Sequence, residues 1–221
     1  MRAYALVRSR KRRTLCLQVS PAGELRLLVP ARTSQQDIDA FLTAKSLWIE
    51  RALKRARALP EMPPFADGLG LRVLDDRVTL ALRLRPGPAR VQRTGSLLSA
   101  AACDEVQARA AVESWYREAA RHHAVARIIH FAPLVGRVPR RIRIAGQKTR
   151  WGSCSPQGTV SLNFRLMLMP AALFDYVVAH ELCHLIAAHH GRAFWRELAR
   201  VMPDYERRRE RLHEIGQHLP F

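Results

Sequence analysis

Residues 175–195, DYVVAHELCHLIAAHHGRAFW, constrain this chain more than any other stretch. They contain His180, Glu181 and His184 in the pattern H-E-x-x-H. On a helix, residues four apart share a face, so the two imidazoles can point at one ion. Glu181 sits beside the first histidine, where a carboxylate can take a proton from an attacking water. A catalytic zinc site uses three protein ligands and keeps one position open. A third ligand is therefore required, and His189 and His190 follow directly. The bland alternative is a helix that carries two histidines by chance. The flanks oppose it: Tyr176, Val177, Val178, Leu182 and Leu185 make the helix apolar and so buried. Buried histidines and a buried glutamate need partners, and a metal supplies them.

A length of 221 residues allows one large domain or two small ones. No apolar run reaches the ~18 residues of a transmembrane helix. The N-terminus, MRAYALVRSRKRR, has its basic residues after a very short apolar segment, the reverse of a signal peptide. The expectation is a cytoplasmic protein with no membrane partner. Cys16, Cys103, Cys154 and Cys183 are widely spread and form no C-x-x-C pair, so neither a disulfide framework nor a zinc knuckle is indicated. Cys183 lies between two ligand candidates but on a helix faces away from them.

The formal net charge is +18, from 37 Lys plus Arg against 19 Asp plus Glu. Such a surplus fits a nucleotide or nucleic-acid partner. It fits equally a general bias towards arginine and alanine, and that reading ranks slightly ahead. The distribution says more than the total. Residues 119–174 contain no Asp or Glu, yet hold Arg121, Arg127, Arg137, Arg140, Arg141, Arg143, Lys148, Arg150 and Arg165. A cleft with that flank favours an acidic substrate.

Taken in order, residues 14–19 and 25–29 alternate around Ser20-Pro21-Ala22-Gly23 and predict a β-hairpin. Ser34 or Thr33 can cap a helix over residues 35–58, with a stripe through Ile38, Phe41, Leu42, Trp48 and Leu53. Pro60-Glu61-Met62-Pro63-Pro64 is the candidate linker. Short strands are expected around Asp75-Asp76 and around Thr94-Gly95, then a long helix over residues 104–130. His122 and His123 in that helix lack an evident acidic partner and read as surface or packing residues. A loop flanked by Pro133 and Pro139 leads to strands over residues 141–145 and 159–167. Pro170 suits the first turn of the helix with the metal motif. A helix over residues 196–202 and one over residues 205–215 capped by Asp204 end the chain.

The blocks RWGSCS, LNFRL, HELCHL and HGRAFW, with MPDYERRRERL after them, occur in an order and spacing that resembles the YgjP-like metallopeptidase domain family. These are metal-dependent hydrolases, zincins related to the WLM and SprT-like peptidases. The resemblance extends to the N-terminal ~85 residues and is weak over residues 69–101. It implies metal ligands at His180, His184 and His190, with Glu181 as general base. The family pattern has Asn before the third histidine, where this chain has His189. The residues agree, since His190 follows His180 by ten positions, the separation in the longer metzincin motif.

The expected fold is α+β. Residues 102–221 would form a small zincin-like catalytic domain, a short antiparallel sheet packed on the H-E-x-x-H helix. Residues 1–101 would form a β-rich lobe with one long helix. An edge strand, from residues 150–155 or 160–166, would take an extended peptide by strand addition. The expected chemistry is hydrolysis of peptide bonds in a peptide or protein by one Zn²⁺, although a three-histidine site accepts several divalent ions. Arg150, Arg165 and Tyr205 are candidates for substrate or oxyanion contacts. One alternative keeps the metal and hydrolyses a nucleoside triphosphate such as UTP, an activity attributed to a member of the family that this chain resembles. Phosphoryl-transfer sites usually hold Mg²⁺ with carboxylates, and no such cluster is evident. Another alternative is a DNA-associated protein with the metal in a supporting role, with strong salt dependence of binding as its signature.

Overall fold

A computed structural model describes residues 3–20, 23–58, 63–147 and 149–216. Two compact units divide the chain, Met1–Met62 and Pro63–Phe221. The division falls inside the proline-rich linker candidate, of which Pro60, Glu61 and Met62 lie outside the described residues. The sequence reading had set its boundary after Ala101.

In the first unit, β1 (Ala5–Ser9), β2 (Cys16–Val19) and β3 (Leu25–Pro30) form a sheet in the order β1-β3-β2. The expected hairpin is β2–β3, antiparallel, and β1 adds to β3 in parallel; Pro21 and Ala22 of its loop lie outside the described residues. Leu27, Val29 and Ile38 form the buried centre of this unit. The helix expected over residues 35–58 is two helices, α1 (Gln35–Ala44) and α2 (Ser46–Ala58). Ser34 caps the first by accepting from the Asp37 N–H, a contact worth ~1 kcal/mol. The Thr43 hydroxyl donates to the Asp39 carbonyl four residues back, a contact that bends helices. Lys45 leaves helical geometry at φ −102°, ψ 7°.

In the second unit, β4 (Gly70–Val73), β5 (Asp76–Leu84), β6 (Arg90–Thr94) and β7 (Leu97–Ala102) form a sheet in the order β4-β5-β7-β6. The inward faces of these strands, Leu71, Val78, Leu80, Leu98 and Ala100 among them, belong to one buried cluster with Val112, Tyr116 and Ala120 of α3 (Glu105–Val135). Shared burial therefore joins residues 70–102 to the C-terminal elements. Helix α3 starts at its Asp104 cap and runs beyond residue 130, through Pro133, to a left-handed Gly136. Pro133 leaves the Ile129 carbonyl without its helical donor, and Ile129 is exposed, so water can satisfy it.

Strands β8 (Arg141–Ala145), β9 (Gly152–Cys154) and β10 (Thr159–Asn163) form the third sheet, order β8-β10-β9. The sheet is mixed rather than antiparallel, because β10 runs parallel to β8 and antiparallel to β9. Strand β10 stops at Asn163, short of the expected residue 167, and a 3-10 turn spans Phe164–Leu168. Asn163 causes the switch. Its buried side chain accepts from the Arg165 N–H and donates to the carbonyls of Gln147 and Arg150.

Helix α4 (Ala171–Cys183) is buried along most of its length and touches α3, β9, β10, α5 (Arg192–Val201) and α6 (Tyr205–Ile215). A helix apolar on nearly every side belongs inside the protein. Its start is held by the β4–β5 turn. Leu74, at φ +57°, donates its N–H to the Met167 carbonyl at 2.6 Å, and the Asp75 carboxylate accepts from the Ala171 N–H at 3.1 Å. Arg127 of α3 makes two hydrogen bonds to the Asp175 carboxylate, 2.5 and 2.9 Å. Helix α5 begins four residues earlier than expected, directly after the extended Gly191. Asp204 sits at the start of α6, but its carboxylate accepts from Arg207 and Arg208 instead of capping the backbone. None of the described helices is long and apolar enough to cross a membrane.

Candidate metal centre

His180 lies in the last turn of α4 and His184 is its C-cap, still helical at φ −66°, ψ −17°. The i, i+4 relation anticipated for the pair is therefore kept. Three turn-type hydrogen bonds, Leu185 to Leu182 and both Ile186 and Ala187 to Cys183, tighten the chain after the helix. The turn that follows brings His190 back over the pair. Ring nitrogens of His180, His184 and His190 all lie within 4.8 Å of one another. Among the described residues this is the group of histidine, cysteine and acidic side chains that could hold an ion. His189 and Cys183 are outside it; Cys183 is fully buried in the core.

The surroundings orient each ring. The Ala187 carbonyl lies 3.0 Å from His184 Nδ1, and a carbonyl only accepts, so that nitrogen carries the proton and Nε2 keeps its lone pair. The Tyr176 hydroxyl stands 3.5 Å from His180 Nδ1. His180 Nε2 and His190 Nε2 face each other at 2.9 Å. Two lone pairs at that distance require a proton or a cation between them. Phe194, fully buried, forms the floor, with its ring 4.5–4.8 Å from all three imidazoles. Trp195 stacks on His190 at 5.5 Å and donates its indole N–H to the His190 carbonyl at 2.9 Å.

Burial, then the neighbouring His184 and His190, pushes His180 down to about 3, so the ring is neutral and able to donate its lone pair. His184 is lowered mainly by burial. Glu181, the next residue along the helix, packs its carboxylate against Gly152 of β9. It is 5% exposed, and its Oε2 is buried with no hydrogen-bond partner. Burial raises its carboxyl to about 8, against a lowering pull from Arg150. Gly152 makes the fit, because a Cβ there would stand 2.5 Å from Glu181 Oε1. A buried carboxylate that directly follows His180 in the chain, together with three converging imidazoles, suits a divalent cation, which would offset the desolvation that the acid suffers here.

The remaining candidates separate. Arg150 is exposed and close enough to act on Glu181. Tyr205 stacks on Trp195 at 5.5 Å, and its hydroxyl donates to Glu206. Arg165 donates to the Gly146 carbonyl at 3.1 Å and lies over the Phe164 ring, which holds the segment before β9. Part of the acid-free stretch thus has internal partners, Arg127 and Arg165 among them, while Lys148 lies outside the described residues. His122 does have an acidic neighbour, Glu118 one turn earlier at 2.8 Å, and His123 packs edge-on against Phe174. Tyr176, Phe194 and the Ala187 carbonyl escaped the sequence reading. Tyr176 stands one helical turn before His180, a spacing that offered a signal, whereas the Ala187 contact depends on a turn.

Three converging imidazoles, with a carboxylate on the residue after His180, are groups that can hold a divalent ion. The chain belongs to the YgjP-like metallopeptidase family, whose domain model matches residues 13–215. It is accordingly a metal-dependent hydrolase of the peptidase class. The chain is also similar to the solved metallopeptidase zymogen of Pyrococcus abyssi abylysin, at 23% identity and a TM-score of 0.39, over 44% of this chain and 99% of that one. No curated protein matches it.

Proposed function

We propose that this chain is a zinc peptidase in which His180, His184 and His190 hold one ion and Glu181 is the general base. The reading makes Pro63–Phe221 a small zincin-like unit, with the H-E-x-x-H helix against the β8–β10 sheet. The observation that carries it is the convergence of three ring nitrogens within 4.8 Å of one another, with a buried carboxylate oxygen on the residue after His180 that has no hydrogen-bond partner among the described residues. Bound there, zinc supplies Lewis acidity, which acidifies a water and polarises a carbonyl. Glu181 Oε2 takes the water's proton and later delivers it to the leaving amine nitrogen. Gly152 keeps that carboxylate in place, and Phe194 closes the floor of the site against water. Strand β9 is an edge of its sheet and lies against α4, so an extended peptide can add to it. Strand β10 is central and has no free edge. The four free cysteines accord with a reducing, cytoplasmic compartment.

The test is Glu181→Gln assayed beside the parent on protein and peptide substrates, with metal content measured on both. Turnover should fall by at least the ~10²–10⁴-fold contribution of a general base, with the metal retained. His190→Ala should instead lose metal. Undiminished cleavage by Glu181→Gln would overturn the assignment.

A further inference from the structure

Helix α6 carries four arginines, and three of them have acidic partners. Arg207 and Arg208 bind Asp204, and Arg211 binds Glu214 at 2.9 Å. Arg209 differs. Its guanidinium lies over the Trp195 ring at 5.3 Å, and it donates to no carboxylate or carbonyl among the described residues. That indole is the one that stacks on His190, and its centre is 6.4 Å from His180. Arg150 is the counterpart before β9. It too is exposed and lacks an ion-pair partner among the described residues, and Asn163 pins its backbone through a 3.1 Å bond to its carbonyl.

A guanidinium held on an aromatic face keeps its N–H fork free and loses little freedom when it meets a planar anion. Most acids near the site are already engaged: Asp175 by Arg127, Asp204 by Arg207 and Arg208, Glu197 by Arg200. Two cations without an ion-pair partner among the described residues, flanking the reacting groups, select for charge on the substrate.

We infer that the peptides this site cleaves carry a carboxylate near the scissile bond, bound by Arg209 with support from Arg150. The inference rests on the three-histidine centre being a peptidase site. The carboxylate belongs either to an acidic side chain or to the substrate's own C-terminus.

The test digests a peptide library with the zinc-loaded full chain, then compares matched peptides, Glu against Gln and free acid against C-terminal amide. Parent, Arg209→Gln, Arg209→Lys and Arg150→Gln are assayed together, and binding of the same peptides to Glu181→Gln is followed by fluorescence anisotropy. The expected result is a preference for one carboxylate peptide that falls about 10–100-fold in kcat/KM in Arg209→Gln, the scale of one charge-assisted hydrogen bond. Arg209→Lys should restore part of it, and the amide peptide should be indifferent to the substitution. Loss with the Glu peptide identifies a side-chain carboxylate, and loss with the free acid identifies a terminal one. Cleavage without a preference for acids, or with a preference unchanged in Arg209→Gln, would overturn the inference and leave the peptidase reading intact. No cleavage of any peptide, with equal binding of acid and amide, would remove both.

Discussion

Gly152 and Glu181 occupy each other's space: the position a Cβ would take on the first is 2.5 Å from the carboxylate of the second. Gly152→Ala must therefore push the carboxylate away from β9. Activity should fall by about 10²-fold or more, as for a displaced base, while metal content stays at the parental level. Parental activity in this variant would show that Glu181 does not act from its observed position.

Trp195 grips the proposed ligand that lies outside the helix, by stacking on His190 and by donating to its carbonyl. Loss of a group that orients a ligand typically costs ~10–100-fold in metal affinity. Trp195→Leu should reach that range in competition with a chromophoric chelator. Trp195→Phe, which keeps a stack but no N–H, should fall between Leu and the parent. An unchanged affinity in both would refute the role.

His123 provides a pH signature away from the metal. Its Nε2 is buried without a partner against Phe174, and burial lowers its pKa below the ordinary 6.5, with Asp175 opposing. The unfolded chain therefore takes up this proton first on acidification. The contribution is fully present above about 6.5 and is lost as pH falls through the lowered value. His123→Leu should lose less thermal stability than the parent between neutral pH and pH ~5. Parallel melting curves at both pH values would contradict this.

Arg127 and Asp175 form a two-bond ion pair between α3 and α4, with side chains 26% and 18% exposed. Arg127→Ala leaves a half-buried carboxylate five residues before His180. A loss of about 1–3 kcal/mol is expected for an unpaired charged group at such a site, read as a lower Tm of the metal-free protein. Arg127→Lys should recover only part of it, since an ammonium cannot make the fork.

What could be read from the residues alone follows physical lines. The β2–β3 hairpin and the strands around Asp75 and Thr94 were legible because side chains alternate there. The convergence of His180 and His184 was legible because their spacing equals a helical turn. His190 was reached through spacing and family resemblance, since its path runs through a turn without periodicity. The break at Lys45 and the end of β10 were not legible. One depends on a Thr43 hydroxyl reaching back to a carbonyl, the other on an asparagine satisfying three distant backbone groups. The passage of α3 through Pro133 was hidden by the usual rule for proline, which the exposed position of Ile129 relaxes. The parallel pairing of β8 with β10 is a tertiary choice that local pattern does not encode.

Helix α4 is tethered at three points near its start: Asp75 on the Ala171 N–H, Arg208 on the Ala172 carbonyl and Arg127 on the Asp175 carboxylate. None of these contacts uses an ion. Small metal-built domains lose their structure on chelation, but a helix held by contacts of this kind should keep its place when an ion is removed. Helical circular dichroism should survive a chelator, and zinc returned afterwards should restore activity at once, with no refolding lag. Metal loss would then leave a dormant enzyme rather than a damaged one, and the local supply of metal would set how much of it is awake.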